Sequence, residues 1–314
     1  MPVKHNRKLN INFGALIAPI IIVAMAVILS LGVADRFQTE QTTQFKDDAE
    51  DALHLVTMKL DNYRDLLYAG RAFVASSDSV TNTEWRTFYN QQAVFDRYQG
   101  VSSIAYINSV QTADLKRFEA ELKASDYFGP SYALKDQSDR PVHGIARAYV
   151  SQNDLSSILG IDLLASEDRY EVYKKSEAKG SIVASPPFKL ATGYDGFFSV
   201  LPVYKNNALD GYVLTSFRYN DLMKRLFADT TFGYRITDIT SNKLLYESGY
   251  EESGNHLDQT IDVGGQSWKM EISRPLTERP VGRMLPAAIM ATALILAMTL
   301  YAYANRPTSR TVKK

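Results

Sequence analysis

Cysteine is absent from the 314-residue sequence, which excludes both a disulfide framework and a thiolate metal site. A net charge is also absent, because 35 lysines and arginines balance 35 aspartates and glutamates. The chain therefore has no overall attraction for nucleic acid, and we predict no nucleic-acid partner. Glycine-rich phosphate-binding loops, the nucleophile-elbow motif and the HExxH zinc motif are missing as well. These absences argue against an enzyme.

Histidine is scarce, and its four copies are His5, His54, His143 and His256. Their spacing does not supply the three or four converging ligands that a zinc ion requires. We interpret them as solvated or capping side chains, and we predict neither a metal ion nor another cofactor. A glycoside hydrolase would need two carboxylates facing each other across a sugar, and no spacing in the sequence indicates such a pair.

Long apolar runs are present at both ends of the chain. Residues 13–33 and 284–304 contain no charged side chain, and each would span roughly 30 Å as a helix, the thickness of the hydrocarbon core of a bilayer. A cleaved signal peptide is the alternative for the first run, but its apolar core is longer than the usual stretch of about 7 to 15 residues. A buried core helix is the alternative for the second run, and its uniformly apolar surface argues against that. We predict two transmembrane helices, with Pro286 in the first turn of the second.

The charges that flank these runs predict the orientation in the membrane. Tails 1–12 and 305–314 are short and basic, so the positive-inside rule places both in the cytoplasm. We predict that the membrane is a bacterial inner membrane. Arg274, Arg279 and Arg283 on the other side of the second run oppose this signal only in part. Residues 34–283 are then extracytoplasmic.

Residues 34–76 have the pattern of one long stalk helix. Apolar and small residues recur every three or four positions, as in the seam of a coiled coil. A dimerising stalk and a helix that packs against its own domain both explain this seam, and both interpretations stay open. The seam consists of Phe45, Ala49, Ala52, Val56, Leu60, Tyr63, Leu67 and Gly70.

Beyond residue 76 the pattern changes to short helices and strands. Thr81 and Glu84 form a capping box at the start of one helix, while Ser166 and Gly180 predict the two ends of another. The order of helices and strands has no regular βαβ rhythm, so we predict an α+β fold with two antiparallel sheets. Strands are predicted over 101–110, 145–150, 181–184, 196–204, 210–217, 234–240, 243–247 and 266–273.

The segment SPPFKLATGYDGFFSVLPVY, residues 185–204, predicts a small pocket. Pro186 and Pro187 cannot donate ladder hydrogen bonds and hold the chain extended. Gly193 and Gly196 allow a sharp bend, and the apolar run after them predicts a buried strand. A rigid loop closing over a sheet forms a pocket that serves either as a ligand site or as ordinary core.

Three charged side chains before this segment are candidate ligand contacts. Asp162 and Asp168 could accept hydrogen bonds from a small polar ligand, although an acidic residue near a helix start also suits the helix dipole. Arg169 could pair with an anionic ligand or with a neighbour such as Glu167 or Asp195. The spacing leaves these alternatives open.

Several sequence blocks resemble the CHASE sensory domain. They are LGIDLLASEDR (159–169), ASPPFKL (184–190), GYDGFFSVLPVY (193–204) and DGYVLTSF (210–217). The block VSSIAYINSV (101–110), followed by a helix with LKRFE, is similar to an earlier part of the same family. The resemblance covers about residues 76–220. Members of this family are the extracellular ligand-binding modules of many histidine kinases, nucleotide cyclases and diguanylate cyclases, including plant cytokinin receptors.

The resemblance implies a stalk helix that carries two PAS-like α/β subdomains. We expect a membrane-distal subdomain over 77–205, which would hold the ligand, and a membrane-proximal subdomain over 206–275. By the same resemblance, Asp168 takes the place of the acidic residue that hydrogen-bonds the adenine-type base in cytokinin receptors. The other implied ligand-binding residues are Phe188, Leu190, Ala191, Phe198 and Val200.

Two departures from the family limit what the resemblance implies. Ala191 and Val200 stand where the plant receptors carry leucine and threonine, which argues against an adenine-type ligand. A kinase or cyclase usually follows the domain, whereas only ten residues follow Ala304 in this sequence. We therefore expect a homodimer, joined through its stalk and transmembrane helices, that senses an unknown small molecule and signals through a membrane-bound kinase or cyclase. The alternative is an envelope scaffold protein with an empty pocket.

Overall fold

The computed structural model describes residues 14–125, 127–135, 137–153, 159–190, 193–228, 231–274 and 280–305. The chain divides into two compact units, residues 1–47 with 275–314 and residues 48–274. Its elements in chain order are α1 (Gly14–Ser76), α2 (Asn82–Gln91), α3 (Val94–Arg97), β1 (Val101–Gln111), α4 (Leu115–Lys123), β2 (Val142–Ser151), α5 (Glu167–Lys179), β3 (Val183–Ala184), β4 (Phe188–Lys189), β5 (Asp195–Lys205), β6 (Ala208–Arg218), α6 (Tyr219–Leu226), β7 (Gly233–Asp238), β8 (Lys243–Ser248), β9 (Asn255–Val263), β10 (Gln266–Arg274) and α7 (Pro280–Ala304).

The first unit contains the two predicted membrane spans. In the described part of the chain, α1 and α7 are the helices long and apolar enough to cross a membrane. Pro286 lies inside α7 rather than in its first turn, because the helix begins at Pro280. The Ser30 hydroxyl donates a hydrogen bond of 3.2 Å to the Pro286 carbonyl, so this polar side chain is satisfied within the unit.

The larger unit is built on two antiparallel sheets, as the sequence predicts. Strands β2, β1, β6, β5 and β3 lie side by side in that order in the first sheet, and β4 pairs with β5. The second sheet has the order β8, β7, β10, β9. Together with the long helix α1 and the second apolar helix, α7, these sheets confirm the α+β architecture.

Strands β5 and β6 form a hairpin that keeps the first sheet continuous to Arg218. The two residues at its turn, Asn206 and Asn207, have φ values of 47° and 62°. Asparagine tolerates this left-handed region, which a tight hairpin turn requires at both central positions. The predicted strands 196–204 and 210–217 leave five residues between them, whereas the observed turn has only two. A subdomain boundary after residue 205 would divide this hairpin.

Strand β9 is absent from the sequence-based prediction. Most of its residues are exposed, and Ile261 is its one buried side chain. It nevertheless pairs with β10 over its whole length. A strand at the edge of a sheet satisfies half of its backbone through its neighbour, so it needs no strong apolar pattern of its own.

The stalk seam is buried inside the larger unit between Ala49 and Gly70. The Tyr63 hydroxyl donates to the Gln99 carbonyl at 2.7 Å, and the Tyr89 hydroxyl on α2 donates to the Leu66 carbonyl at 2.9 Å. Of the two interpretations of this seam, packing against its own domain therefore describes this stretch. The buried seam residues are Ala49, Ala52, Val56, Tyr63, Leu67 and Gly70, and Leu60 is half-buried.

Helix boundaries follow the local signals in the sequence. Thr81 and Glu84 form the predicted capping box, and these hydrogen bonds from Thr81 lower the pKa of the Glu84 carboxyl. Gly180 ends α5 in the left-handed conformation, with φ of 62°. Both boundaries agree with the prediction because each depends on residues close in sequence.

Neighbouring phenylalanines on β5 point to opposite faces of the first sheet, as the pleat of a strand requires. Phe198 packs at 5.9 Å from the ring of Tyr173 on α5. Phe197 stacks on Phe217 at 4.8 Å and meets the indole of Trp268 edge-on at 5.3 Å. A single strand thus contacts both α5 and β10 of the second sheet.

Candidate functional site

A cavity of about 90 Å³ lies between one face of the first sheet, α5 and the segment that contains β4. Its walls combine residues of β1, β2, β5 and β6 with residues that precede or belong to α5. Most of the lining is apolar or aromatic, which is typical of a small-molecule site. The described lining residues are Ser103, Ala105, Ile107, Ala146, Tyr149, Leu159, Leu163, Arg169, Tyr173, Phe188, Leu190, Phe198, Leu214 and Ser216.

Aromatic rings give the cavity its rigid side. Phe188 meets Phe198 edge-on at 5.7 Å, and Tyr173 meets Tyr212 edge-on at 4.7 Å. The segment at Pro186 and Pro187, which bends at Pro187, leads into Phe188 of β4, and Phe188 pairs with Gly196 of β5. A Cβ atom on Gly196 would lie 2.0 Å from the Phe217 carbonyl oxygen, so this position serves close strand packing. Gly193, with φ of 82°, provides the bend.

Arg169 and Tyr173 are polar residues of the lining whose side chains have hydrogen-bonding capacity for a ligand. The Arg169 guanidinium lies 5.6 Å from the centre of the Phe188 ring and has no ion pair among the described residues. The Tyr173 side chain is almost fully buried, and its hydroxyl has no hydrogen-bond partner in the described structure. Burial raises the pKa of Tyr173, and nearby Arg169 opposes this only in part, so the hydroxyl stays protonated and able to donate.

The structure brings three of the predicted ligand-binding residues together, because Phe188, Leu190 and Phe198 all line the cavity. Val200 is fully buried in the adjoining core, where it pairs with Val183, and it is not part of the lining. Asp168 is exposed in the first turn of α5, outside the lining. Ala191 lies outside the described residues. A role in ligand binding stays a prediction for all six.

The other candidate carboxylate, Asp162, is the centre of a buried hydrogen-bond network. Its Oδ2 accepts from Ser138 at 2.6 Å and lies 2.9 Å from Nδ1 of His143. Its Oδ1 accepts from the backbone N–H groups of Gly144 and Leu164, both at 2.9 Å. Burial alone raises the pKa of Asp162, but these hydrogen bonds outweigh it and lower the pKa overall.

This network joins the loop before α5 to strand β2. His143 is a buried residue of β2 rather than a solvated side chain, and its Nε2 lies 3.0 Å from the Thr112 hydroxyl. Sequence reasoning missed this pairing because the two partners are 19 residues apart and meet only through the fold. Asp162 holds the turn that carries Leu163 into the cavity wall, which is a positioning role.

Metal binding has no support in the described structure, where no group of three or more histidine, aspartate or glutamate side chains converges. The two acidic residues considered as ion-pair partners of Arg169 are paired with other cations. Glu167 contacts Arg140, and Asp195 lies 3.9 Å from Lys243. The site is therefore a largely apolar cavity whose described lining has one cationic side chain, Arg169, and four side chains with a hydroxyl group, namely Ser103, Tyr149, Tyr173 and Ser216.

Comparison with known proteins gives a family match. The family model described as CHASE domain matches residues 78–246, more than half of the chain. No curated protein sequence matches the chain.

Among solved structures, the chain is similar to ligand-binding and sensory domains of bacterial chemoreceptors. The ligand-binding domain of the Pseudomonas aeruginosa amino-acid chemoreceptor PctC, in complex with GABA, is 15% identical, with 70% of this chain and 94% of that chain covered and a TM-score of 0.40. The ligand-binding domain of the Pseudomonas fluorescens chemoreceptor CtaA, in complex with L-serine, is 12% identical, with 76% and 98% covered and a TM-score of 0.45. The sensory domain of the Campylobacter jejuni chemoreceptor Tlp3, with isoleucine bound, is 10% identical, with 75% and 95% covered and a TM-score of 0.40.

Proposed function

The chain belongs to the CHASE domain family, and on this premise we propose that it is a membrane-anchored sensor whose extracytoplasmic domain binds a small molecule in the cavity beside α5. The observation that carries the proposal is the cavity itself. It is bounded by the first sheet, α5 and the β4 segment, and within the described residues its Arg169 has no ion pair and its buried Tyr173 hydroxyl has no hydrogen-bond partner. A pocket that served only as core would be expected to have its polar groups paired.

We assign the walls of the binding site to Phe188, Leu190 and Phe198. Val200 would support them from the adjoining core, and Ala191 would belong to the same segment as Leu190. Asp168 stands one residue before Arg169, and we propose it as a hydrogen-bonding group at the edge of the site. Arg169 joins this set because it lines the cavity directly.

Signal output would pass through the helices. A ligand can shift an equilibrium between two states only by binding one of them more tightly. We propose that ligand binding moves α5 and β5 relative to α1, and that a membrane-bound kinase or cyclase responds. A homodimer would present two such helices to the partner.

The test is a thermal-shift screen of the purified full chain in detergent against nucleobases, amino acids, peptides and organic acids. We expect at least one class to raise the melting temperature and Ala146→Leu, which fills the cavity, to abolish that rise. Ala208→Leu is the matched control, because Ala208 is exposed on β6. Asp168→Ala tests the edge of the site in the same screen.

Absence of any response, together with recovery of one stable protein partner from detergent extracts, would contradict the sensor proposal. That outcome would support the scaffold alternative with an empty cavity. A response that survives Ala146→Leu would move the ligand to another part of the domain.

A further inference from the structure

The charge inside the cavity has one sign. Among the described lining residues, Arg169 is the one charged side chain, and no carboxylate lines the walls. The carboxylates near it are otherwise engaged or exposed: Asp162 takes its own four hydrogen bonds, and Glu167 contacts Arg140. An anionic ligand group would therefore find a cation here, whereas an ammonium group inside the cavity would find no counter-ion among the described lining residues, because the exposed Asp168 lies outside them.

A hydrogen-bond donor accompanies this cation. The Tyr173 hydroxyl is buried and unpartnered within the described structure, and it belongs to the residue four positions after Arg169 on the same helix. Residues four apart lie on one face of a helix, so both side chains face the cavity that they line. An unpaired buried hydroxyl is costly, and an acceptor atom of a ligand would remove that cost.

The volume sets the size of the apolar part of the ligand. A dry protein cavity of about 150 Å³ holds one benzene molecule, that is about six carbon atoms. At about 90 Å³, the cavity has room in proportion for about three to four carbons. The walls around that space are formed by Ile107, Phe198 and Leu214 among others, so the enclosed part should be hydrocarbon.

Resting on the proposed function of this cavity, we infer that its ligand is a short-chain carboxylate without an amino group. The carboxylate would bind Arg169 and accept a hydrogen bond from Tyr173, while a tail of about three to four carbons would lie against Phe188 and Phe198. Arg169 and Tyr173 would then determine specificity, and the aromatic wall would determine chain length.

The test measures melting temperature and calorimetric affinity for the full chain in detergent with matched small molecules. Butyrate is compared with butyramide, which has the same shape without charge, with butylamine and with 2-aminobutyrate. Acetate and octanoate bracket the chain length. We expect butyrate to bind at least about tenfold more tightly than each of the other five, because charge-assisted hydrogen bonds are the stronger ones.

Variants assign this preference to the two residues. Arg169→Gln should weaken butyrate binding about tenfold or more, Arg169→Lys should weaken it less, and Tyr173→Phe should weaken it severalfold. Arg71→Gln is the matched control, because Arg71 is also half-buried, stacks on an aromatic ring (Tyr68, 4.9 Å) and lies outside the cavity lining. Ligand-free melting temperatures show which variants are folded.

The results separate this inference from the function on which it rests. Equal binding of butyramide, or tighter binding of 2-aminobutyrate, would overturn the carboxylate inference and leave a ligand-binding cavity. The wild-type comparison of acid with amide decides this even if a variant fails to fold. Failure of every compound, here and in the broader screen, would overturn both.

Discussion

At the scale of single residues, Asp162 shows how a charged side chain inside this fold is stabilised. Its carboxylate is removed from water, which opposes ionisation, yet two side chains and two backbone N–H groups point at its oxygens. These hydrogen bonds favour the ionised form more than burial disfavours it. Asp162 therefore fixes the turn before α5 only while it is charged.

Replacing Asp162 with asparagine should lower the free energy of unfolding at neutral pH by about 1–3 kcal/mol for each donor left unmatched. Because the pKa of Asp162 is lowered in the folded state, its contribution is present above the ordinary aspartate pKa of about 4 and is lost as pH falls through the folded value. Thermal unfolding from pH 7 to pH 3 measures this. The wild type should lose a component of stability at acidic pH that Asp162→Asn lacks, and parallel pH profiles for the two proteins would refute the assignment.

Gly70 shows the opposite case, in which the lack of a side chain is essential. A Cβ atom at this position would lie 2.3 Å from the Tyr89 hydroxyl and 3.1 Å from the Trp85 ring. Gly70→Ala should therefore destabilise the chain by about 1–3 kcal/mol, as overpacking of a core does. Gly32→Ala is the matched control, because nothing lies within 4 Å of the added atom. Tyr89→Phe should restore part of the loss in a double variant, and denaturant unfolding would reveal whether it does.

At the scale of elements, α1 combines a buried seam with an exposed face. Leu67 is 1% exposed, whereas Leu55 on the same helix is 45% exposed. Leu67→Ala should cost about 2–5 kcal/mol, and Leu55→Ala should change stability by no more than about 0.5 kcal/mol. Thermal unfolding with light scattering checks both stability and oligomeric state. Equal losses of stability for the two variants would contradict the burial of the seam on α1. A stalk dimer would need a face other than this seam.

The elements that sequence reasoning found are those whose signals are local. The capping box at Thr81, the C-cap at Gly180 and the apolar strands β5 and β6 each depend on residues adjacent in the chain. Strand β9 was missed because its pattern is polar and its pairing with β10 supplies the order. The pairing of His143 with Asp162 was missed for a similar reason, since neither residue carries a motif.

Part of the candidate site was predicted because some of its residues lie close together in sequence. Phe188, Leu190 and Phe198 belong to one rigid segment and the strand beside it, so a sequence block was enough to group them. The contribution of β1, β2 and β6 to the walls depends on strand order, which no local pattern determines. Arg169 was recognised as a candidate, but only the fold separates it from the carboxylates of Glu167 and Asp195.

At the scale of the whole molecule, the basic tails predict the topology in the membrane. Alkaline phosphatase fused to either terminus should be inactive, and a fluorescent protein at either terminus should fluoresce, because both ends are expected in the cytoplasm. Phosphatase inserted in the exposed turn at Ser241 and Asn242 should be active. An active terminal fusion would invert the arrangement and place the sensor domain in the cytoplasm.

The two faces of β5 give this protein an optical probe of its own. Phe198 borders the cavity, while the adjacent Phe197 touches the indole of Trp268 on the far side of the sheet. The sequence has just two tryptophans, so Trp85→Phe leaves Trp268 as the sole indole emitter. Ligand binding in the cavity that displaces β5 should then change the emission wavelength and fluorescence lifetime of Trp268. Ligand affinity could therefore be measured by intrinsic fluorescence, without an attached dye.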